Sequence, residues 1–122
     1  MRKSIFSAAA EKRFRIKARN YLTKTYGDIF SWQAALEIGE QTTHLFSAAA
    51  NDMSVVCQVH YLRLKKKDIT KQQLDELIEA AFCMVFLPAA AEKIMLIPKT
   101  GISVAEKLFQ AGIQGKVKVI EL

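Results

Sequence analysis

The sequence predicts a mixed α/β fold in which helices cover the faces of one β-sheet. The stretch from Ser54 to Leu62 is rich in β-branched and aromatic residues, which is typical of a strand. The segment that begins at Thr70 carries the pattern of a helix N-terminus. Short apolar runs that stop at Pro88 and Pro98 are typical of strands buried on both faces. Helices that alternate with buried strands imply a single mixed sheet, and a length of 122 residues suits one domain over residues 1–122.

The first part of the chain predicts a helix and then a strand. Ser7 can cap a helix that runs from about Ala8 to Lys24, and Gly27 would end it. Apolar and polar residues then alternate from Phe30 to Ile38, which predicts a strand with one buried side.

A second, weaker strand is predicted from Thr42 to Ser47, and Ala48 to Asp52 would connect it to the strand at Ser54. Asn and Asp suit such a turn because their side chains can bond nearby backbone groups. A helix over Trp32 to Ala50 remains the alternative, since the many Ala, Glu and Gln residues in that segment favour helix.

The second half predicts two helices, each opened by a capping box, and three further strands. Thr70 and Gln73 form the first box, and Ser103 and Glu106 form the second. The predicted order of elements is therefore α-β-β-β-α-β-β-α-β. The three strands of this half are predicted over Cys83–Leu87, Ile94–Ile97 and Val117–Leu122.

Two polar side chains lie within the largely apolar strand predicted from Ser54 to Leu62. Alternate residues of a strand project to opposite faces, so Gln58 and His60 share one face with Val56 and Leu62. Burying such a pair costs free energy unless the groups are hydrogen-bonded or open to a cleft. The pair therefore indicates either a polar patch on a half-exposed face or a remodelled metal site.

Basic charge is concentrated in two segments of the chain. The formal charge is +6, and Glu11 is the only acid before Asp28. An uneven basic excess favours a polyanionic partner, with nucleic acid ahead of a membrane surface, although a solvated basic face gives the same pattern. The candidate contact residues are Lys12, Arg13, Arg15, Lys17 and Arg19 in the first helix, and Arg63, Lys65, Lys66 and Lys67 after the central strand.

Other sequence features exclude several classes of protein. Cys57 and Cys83 match no metal-ligand spacing and lie in apolar runs, which indicates buried thiols in the reducing cytoplasm. No apolar run approaches the roughly 20 residues that a membrane-spanning helix needs. The sequence has no glycine-rich phosphate loop, and no nucleophile has a base at a recognisable spacing.

The order of elements, together with the motif Gln58-Val59-His60-Tyr61, resembles the PD-(D/E)XK nuclease superfamily. The nearest branches are the Mrr-type restriction endonucleases and the archaeal Holliday-junction resolvases. In that family the third strand carries (Glu or Gln)-x-Lys, and this sequence has His60 where the Lys is expected. The later stretch from Ile97 to Glu106 and from Val117 to Ile120 is similar to the end of the Mrr branch.

The resemblance implies a restriction endonuclease-like fold and assigns candidate catalytic residues. Gln58 takes the Glu/Gln position, and His60 takes the Lys position. The Asp position falls on His44 by hairpin length or on Asp52, the nearby acid, and Glu11 would be the acid of the first helix. Mg²⁺ prefers carboxylate oxygens, so a site with His44 at the Asp position should bind it poorly.

The sequence therefore predicts a cytoplasmic nucleic-acid-binding protein of endonuclease-like fold whose metal site has lost its activity. One alternative is an active DNA endonuclease that uses Mg²⁺ or Mn²⁺ held by Asp52 and Gln58. The two histidines with Glu11 could instead hold a softer ion such as Zn²⁺. Another alternative is a non-catalytic subunit that docks a partner protein, and the resemblance also implies a homodimer.

Overall fold

The computed structural model describes residues 5–34, 42–62, 69–87, 91–99, 104, 106–107, 112 and 116–122. Two helices and five strands lie within these ranges. The helices are α1 (Ile5–Tyr26) and α2 (Lys71–Val85), and the strands are β1 (Phe30–Ala34), β2 (Thr42–Ala50), β3 (Val55–Leu62), β4 (Glu92–Ile97) and β5 (Lys118–Glu121).

The five strands form one mixed sheet in the order β1-β2-β3-β4-β5. The β1–β2 and β2–β3 pairs are antiparallel, whereas the β3–β4 and β4–β5 pairs are parallel. Helix α2 lies in the crossover that a parallel β3–β4 pair requires. The predicted mixed α/β class is confirmed, and β1 and β2 show that the alternative of a helix over Trp32 to Ala50 is wrong for the described residues.

The two helices pack with opposite faces of the sheet, and each face has its own apolar core. Phe14 and Leu22 of α1 are buried in one core with Val59 of β3. Leu77 of α2 is buried in the other core with Val56 of β3. The alternation predicted for β3 is therefore confirmed. We call the two sides of the sheet the α1 face and the α2 face.

Helix α1 is longer at both ends than the predicted segment from Ala8 to Lys24. Gly27 ends it with a φ of 87°, a left-handed conformation that glycine adopts without steric cost. The Gly27 N–H donates to the carbonyl of Thr23 at 2.8 Å. Within the described part of the chain, no helix combines the length and the apolar character needed to cross a membrane.

Helix α2 begins with the capping box that the sequence predicts. The backbone N–H of Gln73 donates to Oγ1 of Thr70 at 3.1 Å, and the backbone N–H of Thr70 donates to Oε1 of Gln73 at 2.9 Å. The reciprocal bonds satisfy two backbone donors that the first helical turn leaves without partners.

The strand predicted over Cys83–Leu87 is wrong. These residues form the last turn of α2 and the turn after it. Met84 is buried at helical spacing from the preceding core residues of α2, whereas Phe86 is 88% exposed. The chain stays helical through this apolar run because helical spacing keeps Met84 in the core. Cys83 is consequently exposed, contrary to the prediction, while Cys57 is buried as predicted.

The connection between β2 and β3 begins later than predicted. Strand β2 continues past Ser47 to Ala50, so that the turn consists of Asn51 to Ser54. Oδ1 of Asp52 accepts from the backbone N–H of Ser54 at 3.0 Å and from its hydroxyl at 2.6 Å. This side chain closes the turn in the way that Asp residues commonly do.

Three predictions fall at least partly outside the described residues. The basic run Arg63–Lys67 lies there entirely, as does the end of the strand predicted through Ile38. Most of the helix predicted after Ser103 lies there too, and the backbone is helical at the described Val104, Glu106 and Lys107.

The capping box gives a test of the fold. Replacing Thr70 with Ala removes the side-chain acceptor at the start of α2, and we expect the free energy of unfolding to fall by about 1 kcal/mol. Thr25→Ala, at an exposed position in α1, is the matched control and should change it by less than about 0.5 kcal/mol. Urea unfolding followed by circular dichroism measures both, and equal effects would show that the box does not stabilise α2.

Candidate functional site

A β-bulge brings the histidine of β2 to the α2 face. His44 pairs with His60 and Phe46 pairs with Val59, so that Leu45 is an extra residue in the register. The extra residue reverses the alternation of β2 at this point. Phe46 therefore packs in the core of the α1 face, whereas His44 lies beside His60 on the α2 face.

The two imidazole rings stack in the interior. Their centroids are 4.8 Å apart, and their planes differ by 16°. His60 is 1% exposed and His44 is 8% exposed. Nε2 of His60 lies 3.0 Å from Oε1 of Gln58, and Nε2 of His44 lies 3.0 Å from Oγ of Ser47. We call His44, Ser47, Gln58 and His60 the polar cluster.

The polar cluster borders an open cleft of about 440 Å³ on the α2 face. Ser47 pairs across the sheet with Gln33 of β1 on one side and with Gln58 of β3 on the other. All three residues line the cleft. The lining also includes the apolar residues Met53, Val56, Met84 and Leu87.

Burial keeps both histidines neutral near pH 7. Desolvation, with a smaller contribution from the adjacent His44, lowers the pKa of His60 to about 3. Desolvation also lowers the pKa of His44, and a hydrogen bond with the backbone of Phe46 partly opposes this shift. Nδ1 of His60 is buried and makes no hydrogen bond to the described residues, so a proton added there would have no acceptor.

The geometry of the polar cluster does not suit a metal ion. A ring nitrogen binds metal through a lone pair in the ring plane, and the lone pairs of two nearly parallel rings do not converge on one point. Nε2 of each histidine is also already hydrogen-bonded. Among the described residues, no three His, Cys, Asp or Glu side chains lie close enough together to share a metal ion.

Neither of the predicted carboxylates lies beside Gln58. Asp52 is in the exposed turn, where its hydrogen bonds from Ser54 lower its pKa. Gln58 comes four residues after Ser54, the last residue of this turn, which is about 13 Å along the strand at roughly 3.3 Å per residue. Glu11 is buried one helical turn before Phe14, which places it on the α1 side of the sheet. Of the residues that the resemblance assigns, the structure therefore brings His44, Gln58 and His60 together and leaves Asp52 and Glu11 apart from them.

The basic residues predicted to contact nucleic acid in α1 are all exposed and lie on the other side of the sheet from the cleft. Helical spacing places them in two columns, one on each side of the buried residues Phe14, Ala18 and Leu22 of α1. We call four of them the α1 basic surface, and they are Lys12, Arg13, Arg15 and Lys17.

The fifth basic residue, Arg19, has a different environment. Its guanidinium carbon lies 4.9 Å from the ring centroid of Trp32 and 5.3 Å from that of Phe46. These are cation–π distances, and they hold the side chain of Arg19 against the sheet. Its charge is therefore less available to an external partner than the charges of the α1 basic surface.

Comparisons with protein-family models, with curated proteins and with solved structures found no match to this chain.

Two residues of the site are missing from the sequence prediction. Ser47 and Gln33 sit in predicted strands without any motif around them, and only the register of β1, β2 and β3 places them beside Gln58. The bulge at Leu45 leaves no mark in the sequence. Without it, a serine three residues after a histidine would project to the opposite face of the strand.

The buried histidine pair predicts that the fold loses stability as the pH falls. The pKa of His60 is lower in the folded chain than in the unfolded chain, so below about pH 6.5 the unfolded chain binds the proton first. We expect the free energy of unfolding to fall by on the order of 2 kcal/mol between about pH 6.5 and pH 4.5.

Urea unfolding at a series of pH values measures this effect. His60→Gln removes the titrating ring and should flatten the dependence over that range, whatever its effect on stability at pH 7. An unchanged pH dependence in this variant would show that other groups are responsible.

Proposed function

We propose that this protein binds nucleic acid through the α1 basic surface and has no metal-dependent nuclease activity. The observation that carries the proposal is the charge of α1. The helix contains six basic residues and a single acid. That acid, Glu11, is 6% exposed, whereas the basic residues are exposed. The outer surface of α1 is thus strongly positive, and it suits the phosphate groups of a nucleic-acid backbone.

We also propose that the fold is restriction endonuclease-like, and the order of the elements supports this. A helix followed by three strands, a second helix and a further strand is the order that the resemblance implies for the first six elements, and α1 to β4 follow this order. The Gln58 and His60 pair also lies on the third strand and borders a cleft, as a former active site would.

The chemistry of the polar cluster supports the loss of metal-dependent cleavage. His60 occupies the position of the expected lysine, but its ring is buried, neutral and hydrogen-bonded to Gln58. Such a ring cannot act as the cationic group that a lysine provides. The amide of Gln58 offers Mg²⁺ no negative charge.

We place the protein in the cytoplasm. Cys57 and Cys83 are both free thiols, and Cys83 is exposed. An exposed free thiol suits a compartment that keeps cysteines reduced. The homodimer and the alternative of a protein-docking subunit stay predictions.

Nucleic-acid binding can be tested by fluorescence anisotropy with a labelled DNA duplex, a single strand and a four-way junction, each titrated at several salt concentrations. We expect Lys12→Ala combined with Arg15→Ala to weaken binding on the order of tenfold at about 0.1 M salt. The slope of log affinity against log salt should also become shallower by about 2, because two phosphate contacts are lost.

Lys71→Ala combined with Lys118→Ala is the matched control. It removes the same charge from exposed positions in α2 and β5, outside helix α1. Binding that weakens equally in both double variants would show a response to net charge alone. The absence of binding by the native chain at low salt would overturn the proposal.

The loss of cleavage is a separate expectation. We expect the native chain to leave duplex and junction DNA intact in Mg²⁺ and in Mn²⁺, because no carboxylate predicted for the metal lies beside Gln58. Gel electrophoresis of the DNA after incubation measures this. Cleavage that disappears in Gln58→Ala or Asp52→Ala would contradict it and would favour the active endonuclease.

A further inference from the structure

We infer that Ser47 and His44 form a nucleophile–base dyad, and that Ser47 is acylated by neutral esters that bind in the cleft on the α2 face. The dyad lies on the opposite side of the sheet from the α1 basic surface. The inference is therefore independent of nucleic-acid binding, and each can fail without the other.

The first argument is the contact between the two side chains. Oγ of Ser47 lies 3.0 Å from Nε2 of His44, which is the distance a base needs to take the proton of a nucleophile. In a regular strand these two residues would project to opposite faces. The bulge at Leu45 places them on the same face, so the contact is built into the backbone of β2.

The second argument is the orientation of the base. Burial lowers the pKa of His44 and a hydrogen bond with the backbone of Phe46 partly opposes this shift, so the ring stays neutral near pH 7 and keeps one unprotonated nitrogen. In the tautomer that carries its proton on Nδ1, the unprotonated nitrogen is Nε2, which is the atom that faces Oγ of Ser47. The stacked ring of His60 fixes the plane of the imidazole. A group that orients the base in this way completes the arrangement found around activated serines.

The third argument is the pair of amides beside the nucleophile. Gln33 and Gln58 are the cross-strand neighbours of Ser47 on its two sides, and both line the cleft. Cross-strand neighbours have Cβ atoms about 5 Å apart, which is within reach of an oxygen on a carbon bonded to Ser47. Oε1 of Gln58 is occupied by His60, so its amide NH₂ group remains to donate. Amide donors in such positions stabilise the oxyanion of acyl transfer.

The lining of the cleft defines the class of substrate. The described residues around it are uncharged, and Met53, Met84 and Leu87 give it an apolar part next to the hydroxyl of Ser47. A neutral ester with a short apolar acyl group matches this combination of an apolar surface and a few hydrogen-bonding groups.

The reaction needs no component beyond the ester and water. Oγ of Ser47 bonds to the carbonyl carbon of the ester as its proton passes to Nε2 of His44. The bond from that carbon to the alkoxy oxygen then breaks, and the leaving alcohol takes the proton from His44. Water attacks the acyl-Ser47 ester and gives a proton to His44, the bond to Oγ breaks, and Ser47 regains its proton as the carboxylic acid leaves.

Labelling with an alkyl fluorophosphonate tests the dyad. Oγ of an activated serine displaces fluoride from phosphorus, and mass spectrometry of the digested protein locates the label. Ser31 is the internal reference, because it lines the same cleft but is hydrogen-bonded to Asn51 and not to a base. We expect Ser47 to react on the order of 100-fold faster than Ser31, the contribution of a positioned general base.

Variants separate activation from mere exposure. His44→Gln should slow the labelling of Ser47 on the order of 100-fold, whereas Ser31→Ala should leave it unchanged. An excess of 4-nitrophenyl butyrate, a neutral ester with an apolar acyl group, that is present during the labelling reaction should compete for Ser47 and slow its labelling. If circular dichroism shows that His44→Gln unfolds, the ratio of Ser47 to Ser31 labelling in the native chain decides the question.

Three results would overturn the inference. They are an absence of label on Ser47, labelling of Ser47 and Ser31 at similar rates, and full labelling of Ser47 in a folded His44→Gln variant. Failure of the butyrate ester to slow labelling would overturn the assigned substrate class.

Discussion

The candidate site depends on the extra residue in β2. Successive side chains of a strand project to opposite faces of the sheet. One inserted residue therefore moves each side chain that follows it to the opposite face. At Leu45 this exchange lets Phe46 fill the core under α1 while His44 joins His60 on the other face. The core and the polar cluster are therefore two consequences of one irregularity in the backbone.

Hydrogen bonding makes the polar cluster tolerable in the interior. Buried imidazoles and amides cost free energy when they lack partners. Here His44 is matched with Ser47, and His60 with Gln58, so that each ring nitrogen facing the cluster has a partner. The remaining nitrogen of His60 is buried without a hydrogen bond to the described residues. Its low pKa follows from this environment, because the charged ring would have neither water nor an acceptor.

The two faces of the sheet carry different chemistry. The α1 face has exposed basic side chains on its outer helix, which suit contact with a polyanion by charge alone. The α2 face has an uncharged cleft in which serine and glutamine side chains lie in a row across three strands. Electrostatic contact needs only exposure, whereas a site for chemistry needs the fixed distances that a sheet provides. The nucleic-acid binding and the serine chemistry proposed above therefore use opposite faces of the sheet.

Much of the fold could be predicted from local patterns. The capping box at Thr70 and Gln73, the stop at Gly27 and the alternation along β3 depend on residues close together in the chain, and all are present in the structure. The strand predicted from Cys83 is wrong because a continuous apolar run fits the period of a helix as well as that of a buried strand, and burial of Met84 favours the helix. A continuous apolar run carries no information on which of its residues will meet the core.

The sequence by itself therefore determined the class of fold, the position of β3 with its Gln58 and His60 pair, and the basic character of α1. Tertiary structure alone decided which residues surround that pair. It brought His44 and Ser47 together through the bulge, placed Gln33 and Gln58 on either side of Ser47, and left Asp52 and Glu11 elsewhere. The physical reason is that local patterns reflect backbone preference and period, whereas a site is made by strand register. Register is set by pairing between segments that are distant in the chain. A shift of one residue in the register moves every side chain of the strand to the other face.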